Sequence, residues 1–247
     1  LLAKAPEVPG TPVGAEGGVP GARQENLLPV VARLAAHSLI RPGSALDGDP
    51  APQPRFEMLE TIRDFGVEQL AAYEEAPNLR TRHAVLFLEF AEKADQALVG
   101  PDEQAWIAMV EAEFRNLRAA FMWWLEQDAS RAVRLGAALW QFWYRSGRVG
   151  EGEAWLGQAL PRLAEDSTGD RGKGLLVWGM LAGSRGDFGA AMQRLGCALP
   201  LVTAAEDTPS LALTETSMGI YALYGGDPQG ALPRLRRANA LYPRFRS

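Results

Sequence analysis

A glycine that returns at fixed intervals constrains this chain more than any other feature. Gly147, Gly186 and Gly226 stand 39 and 40 residues apart, and the residues around them match in register. Five positions after each come Gly152, Ala191 and Ala231; nine after come Leu156, Leu195 and Leu235; twelve after come Ala159, Ala198 and Ala238. Eight before stand Leu139, Trp178 and Met218, and seven before stand Trp140, Gly179 and Gly219. Small residues let two helices approach, a large apolar residue fills the space beside them, and the glycine closes the turn. The register predicts antiparallel helix hairpins packed one on the next.

The apolar spacing predicts helices over 79–98, 102–111, 113–126, 130–145, 149–163, 172–185, 188–203, 209–224 and 228–242. Gly100-Pro101, Ser146-Gly147, the stretch 167–172, Gly186-Asp187, 207–209 and 225–228 supply the breaks. Short helices are marginal alone and must bury their apolar faces on neighbours. Upstream of Pro77 the pattern differs. Leu27, Val30, Val31, Leu34 and His37 lie at helical spacing, with Asn26 as N-cap and Pro29 in the first turn. Two short strands, 38–41 and 55–58, flank a loop rich in Pro, Gly and Asp. A further helix then carries Leu59, Ile62, Phe65, Leu70 and Tyr73 on one apolar face. Helix, hairpin, helix is the order of the second half of a winged helix. Residues 1–24, with four prolines and five glycines, read as an irregular linker. The expected organisation is mainly α: linker 1–24, partial winged helix with a short β-hairpin 25–77, and helical repeats 78–247.

The repeat resembles the tetratricopeptide (TPR) pattern, W-x2-L-G-x2-Y followed by A-x3-F-x2-A and a proline. Segments 171–204 and 211–243 match best, with Pro243 at the terminal proline position. Segment 132–164 departs from it, since Trp140 stands where glycine is expected, and its packing should be looser or differently angled. RFEMLETIRDFGVEQLAAYEE at 55–75, RTRHAVLFLEFAEKA at 80–94, EAEFRNLRAAFMWWLEQ at 111–127 and RAVRLGAALWQFWYRSGRVGEGEAWLGQAL at 131–160 resemble the region after the nucleotide-binding module in bacterial STAND-class signalling ATPases. That class is related to LuxR-type and antibiotic-regulator-type transcription factors. The resemblance implies a P-loop ATPase followed by a winged helix and then by TPR-like repeats that sense or bind partners. Where the wider family carries Met-His-Asp this chain has Met58-Leu59-Glu60. Leu59 can neither donate a hydrogen bond nor carry charge, so it is read as a core residue and not as a nucleotide contact.

Several chemistries are excluded by what the chain is made of. It has one cysteine, Cys197, and two histidines, His37 and His83, too few for a Cys/His zinc site or a disulfide framework. There is no G-x-x-x-x-G-K-[ST] phosphate loop and no G-x-S-x-G elbow, and neither histidine has a nucleophile in a recognisable arrangement. Cys197 is read as a small core residue. The tryptophans, concentrated in the repeats, are read mostly as core, although Trp123 and Trp124 cannot both face one side of a helix. Net charge is −5, and residues 1–77 hold six Lys/Arg against eleven Asp/Glu, with Arg33 alone on the would-be reader helix. DNA binding by this segment is not expected. No run is apolar enough to cross a membrane, and the opening residues lack a secretory pattern. A cytoplasmic, non-enzymatic protein without metal or cofactor is the expectation.

The functional expectation is a regulatory fragment of a signalling ATPase or transcriptional regulator whose repeats bind a protein or small effector. The alternative is a free-standing TPR adaptor. Other domains of a parent protein are expected to be among its partners. Positions before each hairpin glycine that face the groove in the TPR pattern give Arg134, Gln141 and Arg145, then Lys173 and Met180, then Ile220 and Tyr224, with Tyr144 flanking them. That set is basic at one end and apolar at the other, which suits a partner both acidic and hydrophobic.

Overall fold

In a computed structural model, residues 27–43 and 55–242 are described. The expected linker 1–24, Asn26, Pro243, Arg244 and Arg246 lie outside them. The chain divides into two compact units, Leu1–Leu79 and Arg80–Ser247.

The first unit contains α1 (Leu28–Ala36), β1 (Arg41–Pro42), β2 (Phe56–Glu57) and α2 (Glu60–Leu70). The strands are antiparallel, Arg41 opposite Glu57 and Pro42 opposite Phe56, and the Arg41 guanidinium donates to the Glu57 carboxylate at 2.9 Å. Pro42 stands opposite Phe56 at a position whose N–H points away from the partner strand, and the Gly43 N–H donates to Arg55 O at 2.8 Å just beyond it. Neither helix contains a buried residue. Leu59 is exposed at the N-cap of α2, which corrects the reading of it as core; Phe65 and Tyr73 are exposed too, and α2 ends before Tyr73.

The second unit is helical throughout its described length. After α3 (Ala76–Ala97) come α4 (Glu103–Ala112), α5 (Phe114–Gln127), α6 (Ala129–Ala138), α7 (Trp140–Arg145), α8 (Val149–Ala159) with a 3-10 turn at Leu160–Arg162, α9 (Thr168–Ser184), α10 (Phe188–Ala204), α11 (Thr208–Tyr224) and α12 (Pro228–Leu241). The mainly α, repeat-like architecture read from the glycine register is present. Gly147, Gly186 and Gly226 all have positive φ, +73°, +84° and +83°, the left-handed conformation that glycine adopts without a Cβ penalty.

The last two hairpins share one corner. The Asp187 N–H donates to Ala182 O at 3.1 Å and the Gly186 N–H to Gly183 O at 3.0 Å, and Asp227 with Gly226 does the same onto Ala222 and Leu223. These are the 6→1 and 5→2 bonds that close a helix on a left-handed residue. The same aspartates then open the next helix, Asp187 Oδ1 accepting from the Ala190 N–H and Asp227 Oδ1 from the Gly230 N–H. Between α10 and α11 the device recurs around Asp207, with Glu206 in the left-handed position at φ +54°.

Packing explains the small residues. A methyl group at Gly179 would stand 2.8 Å from Leu195 Cγ, and one at Gly219 2.7 Å from Leu235 Cδ2. The repeated glycine and leucine are thus a direct contact between the two helices of a hairpin. In the first hairpin Leu156 meets Gly136 instead, one turn earlier. The predicted helix 130–145 is interrupted at Leu139, and the Trp143 indole N–H donates to Gly136 O at 3.0 Å, entering the backbone ladder there. Trp143 in turn requires Gly152, where a methyl group would come within 2.6 Å of the indole; the later hairpins place alanines at these two positions.

Two apolar clusters form the core of this unit. The larger joins α3 through α9 around Phe121, Trp124, Phe142, Trp143 and Trp155, and the smaller holds Leu176, Met180, Leu195, Ala198 and Met218. Trp124 is buried, donating to Ala84 O at 3.0 Å. Its neighbour Trp123 turns aside beneath Arg80, with the guanidinium carbon 5.9 Å from the ring centre. Cys197 is exposed on α10, not a core residue as expected.

Candidate functional site

The first helices of successive hairpins, α7, α9 and α11, pack on one another in order. Their C-terminal ends bring together Tyr144, Gly183 and Leu223, each three residues before a hairpin glycine. Glycine in the middle leaves a gap, and Tyr221 fills it: its ring lies directly on Gly183, and its hydroxyl donates to Met180 O at 3.1 Å. Phe188, the first residue of α10, lies near-parallel to both Tyr221 and Tyr224, with centroids 5.8 and 5.6 Å away. Tyr144 is close enough to Tyr221 to act on it electrostatically, adding to the upward shift that burial imposes on the Tyr221 hydroxyl. The result is an aromatic row across three hairpins. Tyr144 is 58% exposed and Tyr224 70%, and Ile220 and Leu223 continue the apolar surface beside them.

The eight groove residues read from the sequence divide into three kinds. Tyr144, Ile220 and Tyr224 are open to solvent in or beside the row. Gln141 and Met180 are buried, at 7% and 9% exposure: Gln141 accepts from Arg145 Nε, and Met180 belongs to the smaller core cluster. They support the surface from below and present no side chain to a partner.

Two of the three cations are ion-paired within the unit, and the third acts on a carboxylate of α3. Arg134 of α6 donates to Glu92 of α3 from Nε at 3.1 Å, and Arg145 of α7 is ion-paired with Glu103 of α4. Lys173 interacts electrostatically with Asp95. Burial raises the Asp95 carboxyl above its usual range, against the pull of Lys173 and of a hydrogen bond from the Trp140 indole. Just past the row, Arg148 stands where the other corners have aspartate. Its guanidinium pairs with Glu111 and Glu151 and lies 4.6 Å over the Phe114 ring. The expected basic end of the groove is therefore locally neutral.

Sequence reasoning missed Phe188 and Tyr221 as members of the row. The signal available was Gly183, a gap between Tyr144 and Leu223 that something large had to fill. It also missed the pairing of the cations, which was legible as opposite charges 42 residues apart, Glu92 with Arg134 and Glu103 with Arg145. Among the described residues no group of three or more His, Cys, Asp and Glu side chains could hold a metal ion. No described helix is long and apolar enough to cross a membrane.

No family model matches the chain. Over an alignment of 147 residues it is 30% identical to proteins provisionally named HTH-type transcriptional regulators in Mycobacterium bovis and in two strains of Mycobacterium tuberculosis. Each alignment takes in 54% of this chain and 16% of the relative, so the chain spans a small part of the regulators it is similar to.

Proposed function

We propose that this chain is a non-enzymatic regulatory segment of a cytoplasmic transcriptional regulator of the STAND type. In this reading its TPR-like hairpins receive a protein or small effector on the face formed by α7, α9 and α11. The observation that carries the reading is the aromatic row. Tyr144 and Tyr224 are largely exposed although the helices bearing them are firmly packed, and a soluble surface ordinarily keeps such rings scattered. Similarity to regulators over half of the chain supports the regulatory role. The helix–ladder–helix order of the first unit fits the partial winged helix that precedes the repeats in this reading.

The test uses the regulator in its own cell. A strain carrying Tyr144→Ala with Tyr224→Ala is compared by transcript sequencing with the wild type and with a deletion of the gene. The double variant should reproduce a substantial part of the deletion's transcript changes while the protein accumulates normally. A transcript profile indistinguishable from wild type overturns the reading.

A further inference from the structure

Resting on that reading, we infer that the occupant of the aromatic row is an uncharged, proline-containing segment in extended conformation, not the acidic one that the sequence suggests. The first ground is charge. An acidic segment needs cations that it can pair with, and the two arginines flanking the row are already ion-paired, Arg134 to Glu92 and Arg145 to Glu103. At Arg134 and Arg145 an incoming carboxylate would have to displace the present partner and would meet its negative charge at close range. Beyond the corner, Arg185 and Arg194 share the single Glu153 carboxylate at 2.7 and 2.8 Å, and among the described residues this is the one place on that side where an acidic segment would find a spare positive charge.

The second ground is what remains unused. The Tyr144 and Tyr224 hydroxyls have no hydrogen-bond partner among the described residues, and their rings are exposed. A phenol hydroxyl both donates and accepts, and backbone carbonyls set close to flat apolar groups suit its donor side together with the ring face. A bound helix spends most of its carbonyls on its own backbone. A polyproline II segment spends none, and its proline rings pack on aromatic faces at little cost in entropy.

The third ground is rigidity. Tyr221 is fixed by its bond to Met180 O and by Gly183 beneath it, and Phe188 is held between Tyr221 and Tyr224. A surface so ordered gives up little freedom on binding, which favours a partner that is itself preorganised.

The experiment measures binding of two fluorescent ten-residue peptides to the chain by polarisation. One alternates proline with alanine and leucine and is uncharged; the other is acidic, with leucine and glutamate. The uncharged peptide should bind more tightly, its affinity should change by less than about threefold when salt rises from low to high, and Tyr144→Ala or Tyr224→Ala should each weaken it about tenfold. Tyr224→Phe, which keeps the ring and removes the hydroxyl, should fall between. Preference for the acidic peptide with a steep salt dependence, lost in Arg145→Ala, overturns the inference. So does failure of the uncharged peptide to bind. In either case the transcript comparison still decides the groove reading, because it makes no assumption about the partner's chemistry.

Discussion

Tyr221 of α11 rests its ring on the Cα of Gly183 in α9, with its hydroxyl donating to Met180 O at 3.1 Å. One residue thereby seals the seam between two hairpins and completes the aromatic row. A Cβ at position 183 would collide with the ring. Gly183→Ala should therefore destabilise the second unit by about 1–3 kcal/mol, the usual cost of forcing volume into a packed site. Gly196, on the same kind of helix with open space at its Cα, supplies the control. Gly196→Ala should stabilise by about 0.5–1 kcal/mol. Thermal unfolding of the two variants gives shifts of opposite sign; equal shifts would show that the seam does not depend on the glycine.

Glu206 occupies the left-handed corner position that Gly186 and Gly226 fill elsewhere. A side chain there costs about 1 kcal/mol. Glu206→Gly should raise the stability by roughly that amount, while Gly186→Ala and Gly226→Ala should lower it. Urea unfolding monitored by circular dichroism measures all three.

Glu215 is the buried acid of the last hairpin. Its side chain is 6% exposed and binds Arg234 at 3.2 Å and Arg237 at 3.0 Å. Eleven residues before Gly186 the same position is Leu175. Replacing both arginines with methionine leaves the carboxylate buried without a cation and should cost about 3 kcal/mol, whereas Glu215→Leu should cost much less. The order of the two melting temperatures is the readout, and the reverse order would count against this pairing as the support of Glu215.

His83 packs on Phe87 with ring centroids 4.7 Å apart, and burial lowers its pKa from the ordinary 6.5, partly opposed by a hydrogen bond with the Asn116 side chain. The unfolded chain therefore takes up this proton at a higher pH than the folded one. Stability should fall as pH drops below about 6.5 and level off below the folded-state pKa. His83→Gln should flatten that part of the profile in melting curves recorded between neutral and mildly acidic pH.

The hairpin architecture was legible because it rests on residues whose size alone carries the information. Gly179 against Leu195 and Gly219 against Leu235 need only a small and a large partner in register. Glycines that serve close packing inside a helix were harder to read. The stretch 167–172 read as a break, yet α9 begins at Thr168; Gly172 serves packing there, since a Cβ on it would press on Val202, as one on Gly174 would press on Val133 and Leu160. The interruption at Leu139 was hidden for a similar reason: it arises from the Trp143 indole reaching Gly136 O, a tertiary event within an unbroken helical pattern. At the site, exposure was the missing quantity. Periodicity put Met180 and Tyr224 in one class, but α9 is covered on both sides and the end of α11 is not.

The glycine–aspartate corners bear on how such a chain can change in length. At 186–187 and 226–227 one aspartate both completes the preceding helix and opens the following one, so a single inserted residue would strip two helix ends at once. The segment between Arg162 and Thr168 has no such double duty: Leu163 and Ala164 accept from Arg171 without capping α9 through a side chain. Insertions and deletions accumulated over descent should therefore collect between α8 and α9 and spare the corners at Asp187, Asp207 and Asp227.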